Sequence, residues 1–483
     1  MLRILKSYKL YTTILLLAMA AGCKNYKAVT VKSDMALPER YIGPTSDSSA
    51  LPSMPFKAFF SDPHLTALLD TAFKSNLDLQ VTLQRVEMAA ANFRYNKSLL
   101  LPWVNFNATA GADKFGAYTM NGVGNYDSNL SPNLNSKQII PTNPTPDFFI
   151  GVRSSWEVDL WGKLKNQKKA ALARYLATQS GVRLVSTELT AQIAANYYEL
   201  LALDSEMRII VKNIKLQEDA LEIVQIQKQG GRATELAVQQ FVAQLAYTKG
   251  LMYEVQQQIT ETENSLRLLT GSFDRKITRD TSIISLAEPR ELEAGIPTQL
   301  LLNRPDIRQA ELELVALNAD IRSARAAFFP ALTINAYGGY NAFKGALLFD
   351  PTSAVFGIVG GLTAPLLNRK RIKSDYEYKV AEARAALYDY QKTIIGGYQE
   401  VMNSLRGMDN FRNYYQLKEN EVTALNNAVS VSRDLYLVGR ATYLEVITAQ
   451  KNVLDAELQL AVTKKNIFLS EVNLYRALGG GWR

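Results

Sequence analysis

The chain has 483 residues, 54 Lys+Arg against 46 Asp+Glu, 47% hydrophobic residues, one cysteine and one histidine. A single cysteine excludes a disulfide framework, and with a single histidine it also excludes a zinc or haem site of usual composition. Triad chemistry would rest on His64 alone, which has no phosphate-cradling or Gly-rich motif beside it, so neither an enzyme nor a metal or other cofactor is expected.

Proline is absent between Pro146 and Pro289 and again after Pro365, gaps of 142 and 118 residues. A proline in a helix interior costs about 3 kcal/mol. Gaps this long therefore leave room for helices well beyond the usual length of about 11–12 residues.

At the N-terminus Arg3, Lys6 and Lys9 precede an apolar run over 14–22 that ends at Cys23. A basic start, a short apolar stretch and small residues before a break describe a secretory signal peptide over 1–22. As a membrane span the run is too short, since about 20 apolar residues are needed. The placement of Cys23 directly after Ala20-Ala21-Gly22 resembles the lipobox of bacterial lipoproteins, although Ala20 stands where that family usually carries leucine. That resemblance implies a lipidated mature N-terminus, with an N-acyl chain such as palmitate and an S-diacylglycerol on Cys23. Each buried methylene would hold the membrane by roughly 0.8 kcal/mol. Residues 23–59, with Pro38, Pro44, Pro52 and Pro55 among many Ser and Lys, read as this anchor and an extended tether. Without residues 1–22 the chain keeps 51 Lys+Arg against 46 Asp+Glu and no clustered stripe. Nucleic acid is not an expected partner.

The remainder is an internal duplication. Asn76-Leu77-Asp78-Leu79 matches Arg304-Pro305-Asp306-Ile307 at an offset of 228, and at that offset Leu101-Pro102 matches Phe329-Pro330 and Asn107-Ala108 matches Asn335-Ala336. Gly231-Arg232-Ala233-Thr234 then matches Gly439-Arg440-Ala441-Thr442 at an offset of 208, because the insert of copy one (112–147) is longer than that of copy two (340–354). The copies cover 60–271 and 296–483, joined by a linker over 272–295.

Each copy opens with a helix, 62–100 or 304–328, rich in Ala, Leu, Arg and Glu and ended by Pro102 or Pro330. Two strands follow. In copy one Val104, Phe106 and Ala108 alternate with Asn105, Asn107 and Thr109. Phe148, Ile150, Val152, Trp156 and Val158 then alternate with Gly151, Arg153, Ser155, Glu157 and Asp159. Copy two sets Leu332, Ile334 and Ala336 against Thr333, Asn335 and Tyr337, and its last strand, near 354–366, is Gly-rich and alternates poorly. Such strands suit a membrane barrel with a wet lumen, and equally a half-buried sheet in a soluble domain.

Two proline-free stretches come next, 163–229 and 370–437. In the first, Leu189, Ile193, Asn196, Leu200, Leu203, Met207, Ile210, Ile214, Gln217, Leu221 and Val224 follow the alternating four- and three-residue steps of a coiled-coil seam; nine of the eleven are apolar. The second steps likewise through Ile394, Tyr398, Val401, Leu405 and Met408. At about 1.5 Å per residue, each helix would reach about 100 Å. Each turns at glycine and returns over 232–269 or 441–477, which makes two coiled-coil hairpins attached to β-ribbons.

One chain supplies four candidate membrane strands. A closed barrel needs at least about eight, and unpaired edges cannot face lipid, so several chains must share one barrel. Strand counting allows a dimer, a trimer or a tetramer.

The mature chain resembles the TolC-like outer-membrane efflux proteins, most closely their lipoprotein branch typified by OprM. The resemblance is carried by Phe60-Ser61-Asp62-Pro63 with Leu77-Asp78-Leu79, by Arg304-Pro305-Asp306-Ile307, and by Trp156-Glu157-Val158-Asp159-Leu160-Trp161-Gly162. Its most specific part is the C-terminal run Ser470-Glu471-Val472-Asn473-Leu474-Tyr475-Arg476-Ala477-Leu478-Gly479-Gly480-Gly481-Trp482. It implies an α+β membrane protein, a homotrimer with a twelve-stranded β-barrel in the outer membrane and a periplasmic α-helical tunnel. It further implies coupling to a periplasmic adaptor and an inner-membrane pump of the RND type, with this chain as the passive exit duct for drugs or small molecules. The lipobox and the C-terminal run favour this over the exit duct of a type I protein secretion system. A coiled-coil lipoprotein that merely bridges the envelope leaves the four alternating strands unexplained.

On this reading the polar strand face, with Asn105, Asn107, Arg153, Glu157 and Asp159, lines the barrel lumen; a one-residue slip would reverse the assignment. The gate is expected at the glycine turns, where the resemblance implies Tyr, Arg and Asp links between hairpins. Tyr436 matches the family's tyrosine, and Arg440 lies one residue before the family's arginine position, which holds Ala441. The acidic partner has no clear match, so Glu235, Asp434 and Glu445 are the candidates, with Arg232 as the equivalent cation of copy one. By the same resemblance Gly231, Arg232, Val438, Gly439 and Arg440 form the adaptor-docking turns, although glycine there need only end a helix.

Overall fold

In the computed structural model, which describes residues 29–33, 35, 36, 38, 54–279, 282–287 and 297–482, helices start and stop at identifiable side chains. Cys23, the signal segment, most of the tether and part of the linker lie outside the described residues. After a single turn, α1 (Phe56–Phe59), Asp62 caps α2 (Pro63–Ser75) by accepting from the His64 N–H at 2.8 Å, with Pro63 in the first turn. The helix expected over 62–100 is in fact two. Buried Asn76 breaks it, accepting from the Leu79 N–H at 2.9 Å to start α3 (Leu77–Ser98) and donating to the Leu269 carbonyl at 2.9 Å.

Then come β1 (Trp103–Asp113), α4 (Met120–Asn129), β2 (Thr145–Val158), and the first hairpin, α5 (Lys163–Gln229) with α6 (Glu235–Leu269). Copy two follows with α7 (Leu300–Asn303), α8 (Pro305–Ala326), β3 (Ala331–Ala342), β4 (Ala354–Thr363), α9 (Arg369–Leu437) and α10 (Tyr443–Ala477). The insert of copy one thus holds a helix of its own. The return helices begin two to three residues later than expected, because Thr234 and Thr442 serve as their caps.

The chain divides into two compact units that do not follow the sequence repeats, since each takes segments from both copies. One holds the described residues of 1–32, 89–174 and 313–387 and contains the sheet. All four strands pair antiparallel in the order β1-β2-β3-β4. Beneath the sheet, Ala170, Ala173, Ala316 and Ala319 let α5 and α8 approach closely. Arg174 bridges them, donating to Asp320 at 2.5 Å and Glu313 at 3.2 Å. The Trp161 indole donates to the Pro330 carbonyl at 2.7 Å and stacks on Phe329, joining two motifs that the sequence shows 169 positions apart.

The second unit, from 33–88, 175–312 and 388–483, buries the coiled-coil seams. Leu189, Ile193, Leu200, Leu203 and Ile210 pack in one core with Ile394, Val401 and Met408 of α9 and Leu454, Ala461 and Phe468 of α10. At about 1.5–3 kcal/mol for each large side chain buried, this seam outweighs any propensity effect in positioning the helices. Arg304 pins the start of copy two. It is 7% exposed and chelates Asp306 at 2.7 and 3.1 Å, while also donating to Glu400 at 2.8 Å and the Ala477 carbonyl at 2.9 Å. Among the described residues, no helix is long and apolar enough to cross a membrane.

Candidate functional site

The sheet is the first candidate surface. Opposed residues of an antiparallel pair share a face, so the register sorts the side chains without reference to polarity. Asn105 lies opposite Arg153, Arg153 opposite Tyr337, and Tyr337 opposite Gly357. The neighbouring row, on the other face, is Phe106, Val152, Gly338 and Phe356. Every odd-numbered strand residue therefore falls on the face of Asn105, Asn107, Arg153 and Glu157. The even-numbered face is apolar and, among the described residues, uncovered, with Phe106 69%, Phe356 90% and Ile358 75% exposed. Uncovered apolar area of this extent marks an interaction surface. Two hollows lie against the odd face: one of about 860 Å³ where the strands meet their loops, lined by Asp113, Asp147 and Asp350 among others, and one of about 560 Å³ further along.

Two of the residues placed on the polar face have local partners. Glu157 accepts from the Lys163 ammonium at 2.9 Å. Asp159 is a correction: β2 ends at Val158, and the Asp159 carboxylate caps α5, accepting from the N–H groups of Leu164 at 3.1 Å and Lys165 at 2.8 Å. The period-two pattern simply ran on past the end of the strand.

The second surface is the pair of glycine turns. Gly231 and Gly439 have φ of +72° and +75°. In each turn the arginine N–H bonds back to a carbonyl five residues earlier, Arg232 to Gln227 and Arg440 to Leu435, both at 2.8 Å. This is a Schellman ending with glycine in the left-handed region. Thr234 then caps α6, accepting from the Ala237 N–H at 3.2 Å, and Thr442 with Glu445 forms a capping box on α10. The duplicated Gly-Arg-Ala-Thr thus spells the stop of one helix and the start of the next. Behind the turns, Val224, Ala237, Val238, Phe241 and Val446 form an apolar cluster on which Tyr436 packs, and burial pushes the Tyr436 phenol above its ordinary range.

The gate candidates are not joined to one another. Among the described residues, no ion pair or hydrogen bond links Tyr436, Arg232 or Arg440 to Glu235, Asp434 or Glu445. Glu235 is held by Lys228 and by the Gln239 amide at 2.6 Å, and this keeps its carboxyl below the usual range. Glu445 is held by the Thr442 N–H at 2.5 Å and hydroxyl at 3.0 Å, with the same effect. Asp434, Arg232 and Arg440 are exposed.

The sequence reading missed the polar atoms buried behind the tip. Gln217, 1% exposed, has neither amide atom bonded, and Gln240, Gln244 and Gln450 each leave one buried atom without a partner. The signal was visible: Gln217 is one of two polar residues in an otherwise apolar seam.

The family model described as outer membrane efflux protein matches residues 68–272 and 296–480. The chain is 28% identical over 453 residues to the pyoverdine export outer membrane protein OpmQ of Pseudomonas putida, covering 93% of each. It is 26% identical over 426 residues to the cation efflux system protein CusC of Escherichia coli K12, covering 88% of each. Among solved structures, a membrane protein from Pseudomonas aeruginosa superposes with a TM-score of 0.84 at 25% identity, over 94% of this chain and 99% of that one.

Proposed function

This chain belongs to the outer membrane efflux protein family, with the outer membrane as its place of work, and from that premise we propose that it is the passive exit duct of a tripartite efflux system. Three copies share one twelve-stranded barrel, β4 of each pairing with β1 of the next. A periplasmic adaptor grips the hairpin turns at Gly231-Arg232 and Val438-Gly439-Arg440, and an inner-membrane pump supplies drugs or other small molecules as cargo. Lipid on Cys23 adds a second hold on the membrane. At the gate, Asp434 is the acidic candidate left for Arg232 and Arg440, with Tyr436 beside them, because local partners occupy Glu235 and Glu445.

The observation that carries the reading is the open sheet. Among the described residues, its edge strands β1 and β4 have one neighbour each and its apolar face is uncovered. Lipid offers no hydrogen bonds to such edges, so a membrane sheet of four strands must close through other copies. The polar face then becomes the wall. Cargo is not set by the fold, since relatives of one architecture are named for pyoverdine and for cations. The purified protein in a planar bilayer tests the reading: discrete conductance steps from a species of three-chain mass are expected. An insulating protein, or one that conducts as a single chain, overturns it.

A further inference from the structure

We propose that the polar face of the sheet carries a weak binding patch for aromatic organic anions, centred on Arg153; the proposal rests on the duct reading and adds a ligand class to it. The hollow of about 560 Å³ on that face is lined by Trp103, Phe149, Arg153, Asn335 and Tyr337. The register sets them in adjoining rows, with Asn105, Arg153 and Tyr337 in one and Trp103, Ser155 and Asn335 in the next. These are odd positions of three successive strands, so the grouping follows from backbone pairing alone.

Glycines shape the patch. A Cβ at Gly357 would come within 2.5 Å of the Tyr337 ring, and one at Gly151 would first meet the β3 backbone, 2.4 Å from the Gly338 carbonyl oxygen, and then the edge of Phe149 at 3.0 Å. Both rings lie down on the sheet where a side chain is missing. Phe149 is buried as the floor, and the Arg153 guanidinium sits over it, 4.8 Å from the ring centroid. Trp103 and Tyr337 remain 55% and 46% exposed beside it.

The charge on Arg153 is unanswered. Among the described residues it makes no ion pair; of the acids on its own face, Glu157 is occupied by Lys163 at 2.9 Å, Asp147 accepts from the Asn341 amide at 2.7 Å, and Asp113 lies at the far end of β1. A guanidinium stacked on a ring keeps its N–H edge directed outward, and that edge matches a carboxylate in two parallel hydrogen bonds. Rings on either side and the amides of Asn105 and Asn335 complete a site for a planar aromatic acid. A cation would be repelled. An aliphatic acid would meet Arg153 but lose the ring contacts, a loss of about three- to tenfold in affinity. Weak binding is what a duct requires, since cargo must also leave.

The test uses the full-length protein in a planar bilayer, with benzoate, cyclohexanecarboxylate and benzylammonium as probes of its current. Benzoate is expected to block at concentrations about three- to tenfold lower than cyclohexanecarboxylate, and benzylammonium not to block. Arg153→Gln should raise the half-blocking concentration of both acids about tenfold. Tyr337→Leu should reduce the preference for benzoate and leave the block by cyclohexanecarboxylate unchanged. Equal block by the two acids, or a benzoate block unchanged in Arg153→Gln, overturns the patch while leaving the duct intact. A protein that never conducts overturns the duct instead. Equilibrium dialysis of benzoate against wild type and Arg153→Gln then decides the patch separately: equal binding overturns it, and binding lost in the variant upholds it.

Discussion

Substitution of Gly439 separates what the turn needs from what a partner needs. The residue has φ of +75°, and a Cβ built on it meets nothing within 4 Å. Alanine there would therefore suffer only the left-handed backbone penalty, roughly 1–2 kcal/mol. That corresponds to about a 5- to 30-fold increase in local opening. Because the Cβ position is open and the turn exposed, Gly439→Trp should carry the same backbone penalty in the free protein. Hydrogen exchange at amides 435–445 reads the strain, and both variants should exchange faster by that factor while the middle of α10 is unchanged. An Ala variant with wild-type exchange would refute the conformational account. Adaptor cross-linking and efflux-dependent drug resistance read the docking. Alanine should retain both and tryptophan should lose both, since only the indole projects into the space the adaptor would fill. If the two variants behave alike, the turn is a helix ending and not a docking surface.

Arg304→Ala strands the Ala477 carbonyl and takes the guanidinium from Asp306, while Glu400 keeps Arg476 at 3.6 Å. With Glu400 38% exposed, the loss should sit at the low end of a broken buried pair, about 3 kcal/mol, read as roughly 100-fold faster exchange at amides 304–308. Gln217→Leu combined with Gln450→Leu removes buried amide atoms that have no protein partner, so the double variant should unfold at higher temperature in detergent. Glu471 is raised to about 7, first by burial, with Arg412 acting against the shift. A carboxyl raised above its usual value of 4.5 binds more protons folded than unfolded, so it makes stability fall as pH climbs from about 4.5 to 7. Thermal unfolding against pH should show that fall, and Glu471→Gln should reduce it without abolishing it, because burial also raises Glu206 to about 7.

The long helices were legible because their signal is an absence that nothing tertiary can disguise. No proline interrupts 163–229, and the helix observed is Lys163–Gln229. The break at Asn76 was not legible, because it depends on a carbonyl 193 positions away that takes the side-chain amide. The strand faces were readable wherever alternation was clean. In β4 it was not, since the odd face there carries Val355, Gly357 and Val359, with Gly357 shaped by the ring of Tyr337 from the next strand. The same limit hid the floor of the wall patch. Phe149 is an aromatic residue at a polar-face position, an exception to the pattern, and it becomes intelligible only with Gly151 beneath it and Arg153 above.

The duplicated turns show how one local solution narrows a functional assignment. Copy two carries a glutamate three residues after its cap, Glu445, and uses it in the capping box, whereas copy one has Ala237 there. Copy one instead spends Glu235 on Lys228, across its own turn. The two carboxylates are thus engaged by different routes within the segments that carry them. Any electrostatic latch at the tips is left with Asp434, whose side chain has no such duty, and with the exposed Arg232 and Arg440. Asp434→Asn should therefore raise single-channel conductance while leaving hydrogen exchange at the tip unchanged. Glu445→Ala should do the reverse, speeding exchange in the first turn of α10, at amides 443–446, without opening the channel. If Glu445→Ala opens the channel and Asp434→Asn does not, the capping box is itself part of the gate and the division between local and functional carboxylates fails.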